Sequence, residues 1–194
     1  ASLFCALLPW SAIQESTVRS ARGFLDQANL IKKARFPLEV IPFSLVCSAL
    51  IHQIIATAAF AIILLITGLL DPLSLGLLIP LLIIQAGFMF GSALLIATAN
   101  VFFKDIAQII GVVFMFLFWL TPIVYPKSVV PADYVFLLDL NPLTHMVEAF
   151  RSATFGTPGF PWWGTVYWVV VSCIFWLLGS RLLRRTRSEI LDLL

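Results

Sequence analysis

From Val40 to Phe103 the sequence carries a single Asp, Glu, Lys or Arg, at Asp71, and this near-absence of charge constrains the fold more than any other feature. Four uncharged apolar runs stand out: residues 40–70, 72–103, 106–126 and the stretch that ends at Ser180. Each exceeds the ~20 residues that a helix needs to cross ~30 Å of hydrocarbon. A chain that is 61% hydrophobic and 11% charged, with mean hydropathy +1.03, has too little polar surface to cover a soluble globule of 194 residues. Lipid must solvate much of it. A β-barrel also satisfies backbone groups in lipid, but its signature is short alternating strands, and these runs do not alternate. The expected fold is an all-α integral membrane protein, a polytopic helical bundle with four complete spans.

Lys and Arg set the orientation, because positively charged loops are retained in the cytoplasm. Arg19, Arg22, Lys32, Lys33 and Arg35 precede the first run, Lys104 follows the second, and Arg181, Arg184, Arg185 and Arg187 form the tail. Four spans put these ten on one side and leave Lys127 and Arg151 on the other, so the C-terminus is expected in the cytoplasm. Residues 1–14 are apolar but too short to span alone, and they lack the basic region of a signal peptide. They read as the second half of a helix, a partial N-terminal span that implies preceding sequence. The net charge of +2 gives no case for nucleic acid, and Cys5, Cys47 and Cys173 lack the spacing of a metal site or a disulfide framework.

After Pro9, the segment to Phe36 mixes charge with apolar positions in an amphipathic, interfacial pattern. Its basic face rests either on anionic headgroups or on another protein. Gly87 and Gly91 have a spacing that permits close helix contact. His52, Gln53 and Gln85 are polar residues within spans, where each either hydrogen-bonds a neighbouring helix or lines a pathway. Phe114, Phe116, Phe118 and Trp119 precede Thr121-Pro122 and form either an interface belt or a lining for sugar rings.

The segment 125–163 is no simple loop. Asn141 followed by Pro142 reads as an N-cap with proline at the first helical position, and Gly156, Pro158, Gly159 and Pro161 end the helix. That helix places His145, Glu148 and Arg151 at three-residue steps, so Glu148 and Arg151 are expected to pair. Its apolar length predicts a segment that re-enters the outer membrane surface, buried in protein or facing water. Trp162, Trp163, Tyr167 and Trp168 mark the outer interface of the last span.

Three motifs fall in one order on this pattern: Asn29-Leu30-Ile31-Lys32-Lys33 with Phe36-Pro37, residues 119–126 (WLTPIVYP), and Asn141-Pro142-Leu143 with Glu148, Arg151 and Gly156. Together they resemble the ABC-2 family of transporter permeases, in the branch that exports O-antigen, capsule or teichoic acid polysaccharides, over nearly the whole chain. The resemblance implies a six-helix permease of the bacterial cytoplasmic (inner) membrane that forms a homodimer and binds two cytoplasmic ATPase subunits. Residues 1–194 would then form a single transmembrane domain lacking the family's first helix. Within it, 15–37 would be the cytoplasmic coupling segment, with Asn29, Leu30, Ile31, Lys32, Lys33 and Phe36 contacting the ATPase. The helix leading into Pro122 would line the channel with Phe114, Phe118, Trp119 and Tyr125. Pro122, Pro126, His145, Glu148 and Arg151 would belong to the outer gate.

A lipid-linked polysaccharide is polar and long, and its pyrophosphate needs a cationic partner at the inner interface. Arg19 and Arg22 suit that role through bidentate guanidinium contacts, although they are also ordinary positive-inside residues. The chain lacks a G-x-x-x-x-G-K-[ST] loop, so ATP and Mg would bind the partner ATPase and no cofactor is expected here. Competing classes are an ABC-2 exporter of small hydrophobic drugs or lipids and a channel or secondary transporter. Secondary transport would favour intramembrane carboxylates or inverted repeats. An integral membrane enzyme lacks a nucleophile or paired-carboxylate constellation.

Overall fold

The computed structural model describes residues 1–33, 37–68, 74–156 and 159–193, and every regular element among them is helical. The order is α1 (Ser2–Asp26), α2 (Ala28–Lys33), α3 (Val40–Ile66), α4 (Leu78–Phe102), α5 (Ile106–Leu120), α6 (Val135–Leu140), α7 (Pro142–Phe155) and α8 (Trp162–Leu193). Short 3-10 turns at Ser74–Leu77, Lys127–Val129 and Ala132–Tyr134 link them. By length and apolarity α3, α4 and α8 each suffice to cross a membrane. The chain is a polytopic helical membrane protein.

Two elements depart from expectation. The partial span expected over residues 1–14 and the start of the interfacial segment after Pro9 are one helix, because α1 runs unbroken for 25 residues with Pro9 inside it. Trp10, Ile13, Ser16, Thr17, Ser20, Ala21, Gly23 and Phe24 are buried, while Glu15, Arg19, Arg22 and Asp26 recur on the opposite face at helical spacing. The amphipathic pattern belongs to a helix packed in the bundle, not to a segment lying on it. The other departure is α5, which stops at Leu120 after 15 residues, about 22 Å of helix. Pro122 is the cause. A residue before proline is pushed out of the helical region, and Thr121 sits at φ −87°, ψ 134°.

Side-chain contacts fix the relative directions of the helices. Gln85 of α4 meets Pro9 of α1, and Ser92 meets Thr17, so the two run in parallel. On α3, Gln53 shares the level of Gln85 while Ile41 and Leu45 lie against Gly23, which makes α3 antiparallel to both. Phe88 stacks on Phe175 of α8 and Leu94 lies against Gly179, again in parallel. The C-terminal ends of α1, α4 and α8 therefore gather at one end of the bundle, where Phe24, Ile31, Leu38, Ile41, Val101, Leu183 and Ile190 form a small core. A larger core around Trp10, Phe88, Met89, Phe114, Phe150 and Trp168 fills the rest.

Backbone meets backbone along the α4–α8 seam. A Cβ on Gly179 would lie 2.6 Å from the Gly91 carbonyl oxygen, and one on Gly91 would overlap the Trp176 backbone. Gly87 has open space around it, so the Gly87/Gly91 spacing marks a single contact glycine whose partner is Gly179. A second tie is polar. Gln53 Nε2 donates to Gln85 Oε1 at 2.9 Å, Gln85 Nε2 donates to Gln53 Oε1 at 2.8 Å, and Gln85 also reaches the Pro9 carbonyl at 3.1 Å. Both amides are buried, so this reciprocal pair joins α1, α3 and α4 without leaving polar groups in hydrocarbon.

Candidate functional sites

At the end of α1 the Gln27 carbonyl accepts from both Leu30 and Ile31 N–H, which starts α2 with only Gln27 between the two helices. Ile31 is buried in the small core, while Asn29, Leu30 and Lys32 are exposed. The segment thus presents an apolar side chain and a cation from an anchored turn. Lys33 closes α2, and Phe36 lies outside the described residues.

Arg19 and Arg22 line a concavity of about 470 Å³ with Val18, Gly23, Asp26, Gln27, Leu45 and Ala107. Arg19 Nη1 donates to Glu15 Oε1 at 2.7 Å, and His52 Nδ1 stands 3.9 Å from the same oxygen. Arg22 is exposed and has no ion-pair partner among the described residues. Of this pair it is the cation with free donors.

The aromatic residues of α5 divide into two sets. Phe114 and Phe118 meet the Trp10 ring edge-on, with centroids 5.7 and 5.8 Å apart, and hold α5 against α1. Trp119 projects outward beside Val113, Phe116, Leu117 and Leu120 around a shallow concavity. Tyr125 donates its hydroxyl to the Trp119 carbonyl at 2.9 Å, closing the turn after α5. Phe116 belongs with Trp119. Their i, i+3 spacing was the available signal, since such residues share a helix face.

The segment between α5 and α8 is built around α7 as its capping signals require. Asn141 Oδ1 accepts from Leu143 N–H at 3.0 Å, Pro142 occupies the first turn, and Gly156 ends the helix at φ 60°. Asn141 Nδ2 donates to the buried Thr121 hydroxyl at 2.8 Å, which ties α7 to the end of α5. The expected Glu148–Arg151 pair is replaced by two other contacts. Arg151 Nη2 donates to the Ile123 carbonyl at 2.7 Å, while Glu148 lies 3.8 Å from Lys127, which also pairs with Asp139. The reason is local. Thr121-Pro122 turns the chain back, so an unpaired carbonyl at Ile123 faces Arg151 and satisfies it over a shorter reach. Partial burial lowers the Arg151 pKa, opposed by Cys5 and Glu148. His145 contacts the Asp139 carbonyl through Nε2 at 2.9 Å and meets Tyr167 edge-on, with its ring against Gly164. Pro122 is buried and Pro126 exposed.

A helical bundle with a basic end, an anchored segment at that end and a capped helix folded back at the other is the architecture of a polytopic helical membrane protein. Residues 1–155 match the ABC-2 type transporter family, and the chain belongs to that family. It is 32% identical over 150 residues to an O-antigen export system permease protein RfbA of Klebsiella pneumoniae, and 26% identical over 152 residues to the protein of that name from Myxococcus xanthus. Each alignment covers 77% of this chain and 58% of the relative, so the matched region spans a little over half of those proteins. Helix α8 follows the family match yet packs along α4 within it.

Proposed function

We propose that this chain forms the membrane-spanning part of an ATP-driven exporter that moves a lipid-linked polysaccharide, such as O-antigen, capsule or teichoic acid, across the bacterial cytoplasmic membrane. The observation that carries this reading is family membership together with relatives named as O-antigen export permeases. In this reading the protein works as a homodimer with a cytoplasmic ATPase that binds ATP and Mg. The basic ends of α1, α4 and α8 face the cytoplasm, following the positive-inside bias. Asn29, Leu30, Ile31, Lys32, Lys33 and Phe36 couple the ATPase to the bundle, supported by the exposure of Leu30 and Lys32 on an anchored turn. Arg19 and Arg22 attract the pyrophosphate of the substrate.

The four aromatic positions act in two ways. Phe114 and Phe118 hold the wall of the path, and Trp119, with Tyr125 fixing its turn, faces the passing sugars. His145, Glu148, Arg151, Pro122 and Pro126 shape the outer gate, with the Arg151–Ile123 contact holding it shut. Deleting the gene is expected to leave lipid-linked glycan on the cytoplasmic side and deplete it from the surface. An unchanged set of surface glycans would refute the export reading.

One observation favours a second reading, an exporter of hydrophobic drugs or lipids. An apolar concavity of about 560 Å³ lies between α1 and α3, lined by Ala1, Phe4, Leu8, Ala56, Ala59, Phe60, Ile63, Leu64 and Thr67. In the polysaccharide reading the same surface accommodates the lipid chain. Drug sensitivity of the deletion strain without any glycan change would favour the second.

A further inference from the structure

His52 is 65% exposed, Arg19 46% and Glu15 38%, although all three stand on helices that pack through the body of the bundle. The depth of His52 follows from length alone. Helix α3 has 27 residues, and His52 lies twelve residues from Val40 and fourteen from Ile66, or about 18 and 21 Å along an ideal helix. Where a helix of ~40 Å contains the whole of a ~30 Å hydrocarbon layer, His52 sits about 8 Å or more inside that layer whichever end is placed nearer its surface. An exposed imidazole beside a carboxylate and a guanidinium is not stable against acyl chains at that depth; such groups face protein or water.

The three residues are not isolated. Glu15, Arg19, Arg22 and Asp26 form one stripe along α1, about 16 Å from end to end, and it descends to the end where α2 begins. Arg19, Arg22 and Asp26 line the concavity between α1, α3 and the start of α5. Toward the other end the same face of α1 becomes apolar at Leu8 and Phe4. The polar stripe is therefore open at one end of the bundle and closes on His52 beside the buried Gln53–Gln85 pair.

We infer that this face is the wall of a water-filled vestibule that enters the membrane from the α2 end and reaches as far as His52. The wall holds a paired anion and cation, Glu15 and Arg19, with an unpaired cation, Arg22, below them. It suits a hydrated, anionic group entering from that end and gives it no comparable polar contact beyond His52. The vestibule rests on the export reading only for what passes through it. Its wetness rests on exposure and depth.

Cysteine accessibility tests the inference in native membranes containing the whole permease. With Cys47 and Cys173 replaced by serine, His52→Cys is treated with a small, charged, membrane-impermeant methanethiosulfonate in inside-out vesicles, beside Ile54→Cys. Ile54 has a similar depth on α3, faces the other way and is also exposed. His52→Cys is expected to react faster by about tenfold or more, as a water-facing position does relative to a lipid-facing one. Equal, slow reaction at both sites would overturn the vestibule and indicate that another protein segment or a second copy covers the face. Should His52→Cys fail to accumulate, Arg19→Cys, near the same level on α1, gives the same reading. Surface glycan measured in the parent strain and its deletion separates the two ideas. Fast labelling with no glycan phenotype would leave the vestibule standing and remove polysaccharide as its cargo. Slow labelling with a glycan phenotype would do the reverse.

Discussion

Gln53 and Gln85 show how much a single side chain carries in this bundle. Each is nearly or fully buried, and each amide supplies the other with both a donor and an acceptor. Replacing Gln85 with leucine leaves Gln53 unpaired in an apolar setting and removes the contact to Pro9. The expected loss is about 1–3 kcal/mol, read as a lower melting temperature of the detergent-purified protein. Replacing both glutamines with leucine removes the stranded partner as well, so the double variant is expected to melt above the Gln85→Leu single variant. A double variant that melts lower would show that the amides hold something besides each other. A similar argument applies to Asn141, which caps α7 and also donates to Thr121. Asn141→Ala is expected to cost about 1 kcal/mol from the cap alone, and the lost tie to α5 adds to it. A melting temperature unchanged from the parent would contradict both roles.

At the scale of elements, what could be read in advance depended on whether the signal was local. Helix α7 was fully legible, because an Asx cap, a first-turn proline and a terminal glycine act within a few residues of chain. The apolar spans α3 and α4 were legible for the same reason, since their burial in lipid needs no partner. Helix α1 was not. Its charges after Pro9 suggest an interfacial segment, yet Trp10, Ile13 and Phe24 are drawn into the core by residues far along the chain, and that packing overrides local preference. The exposure of Arg19 and Arg22 follows from their charge, whereas the approach of His52 to Glu15 joins residues on separate helices and leaves no sequence signature. Gly179 was also silent, being a lone glycine whose role appears only against Gly91. Gly179→Leu is expected to force α4 and α8 apart at a cost of about 1–3 kcal/mol, whereas Gly87→Leu, facing open space, is expected to be nearly neutral by the same melting assay.

For the whole molecule, three helix ends at one end of the bundle determine how it sits. Lys32 after α1, Lys104 after α4 and Arg181, Arg184, Arg185 and Arg187 in the second half of α8 are brought to one end by parallel packing, so a single orientation is expected to satisfy all of them. A green fluorescent protein fused after α8 is expected to fluoresce in living bacteria, and an alkaline phosphatase at the same point to stay inactive. The opposite pair of results would invert the protein. The charge-reversed variant Lys32→Glu/Lys33→Glu is expected to reduce co-purification of the ATPase and glycan export together while membrane levels hold. Unchanged co-purification would remove α2 from the coupling role.

The contact between Gly91 and Gly179 also limits how such a molecule can move. Two helices whose backbones touch, with the bulk of Leu94 and Trp176 immediately beside the touching point, cannot slide past one another by a residue without a collision. Shear is closed to this pair, so α4 and α8 should travel as one rigid strut. Any opening and closing must then come from rotation at joints elsewhere, and the junction of α1 with α2 at Gln27 and the proline-broken end of α5 are the natural pivots. A disulfide placed across α4 and α8 is accordingly expected to leave transport intact, while one joining α1 to α5 should arrest it.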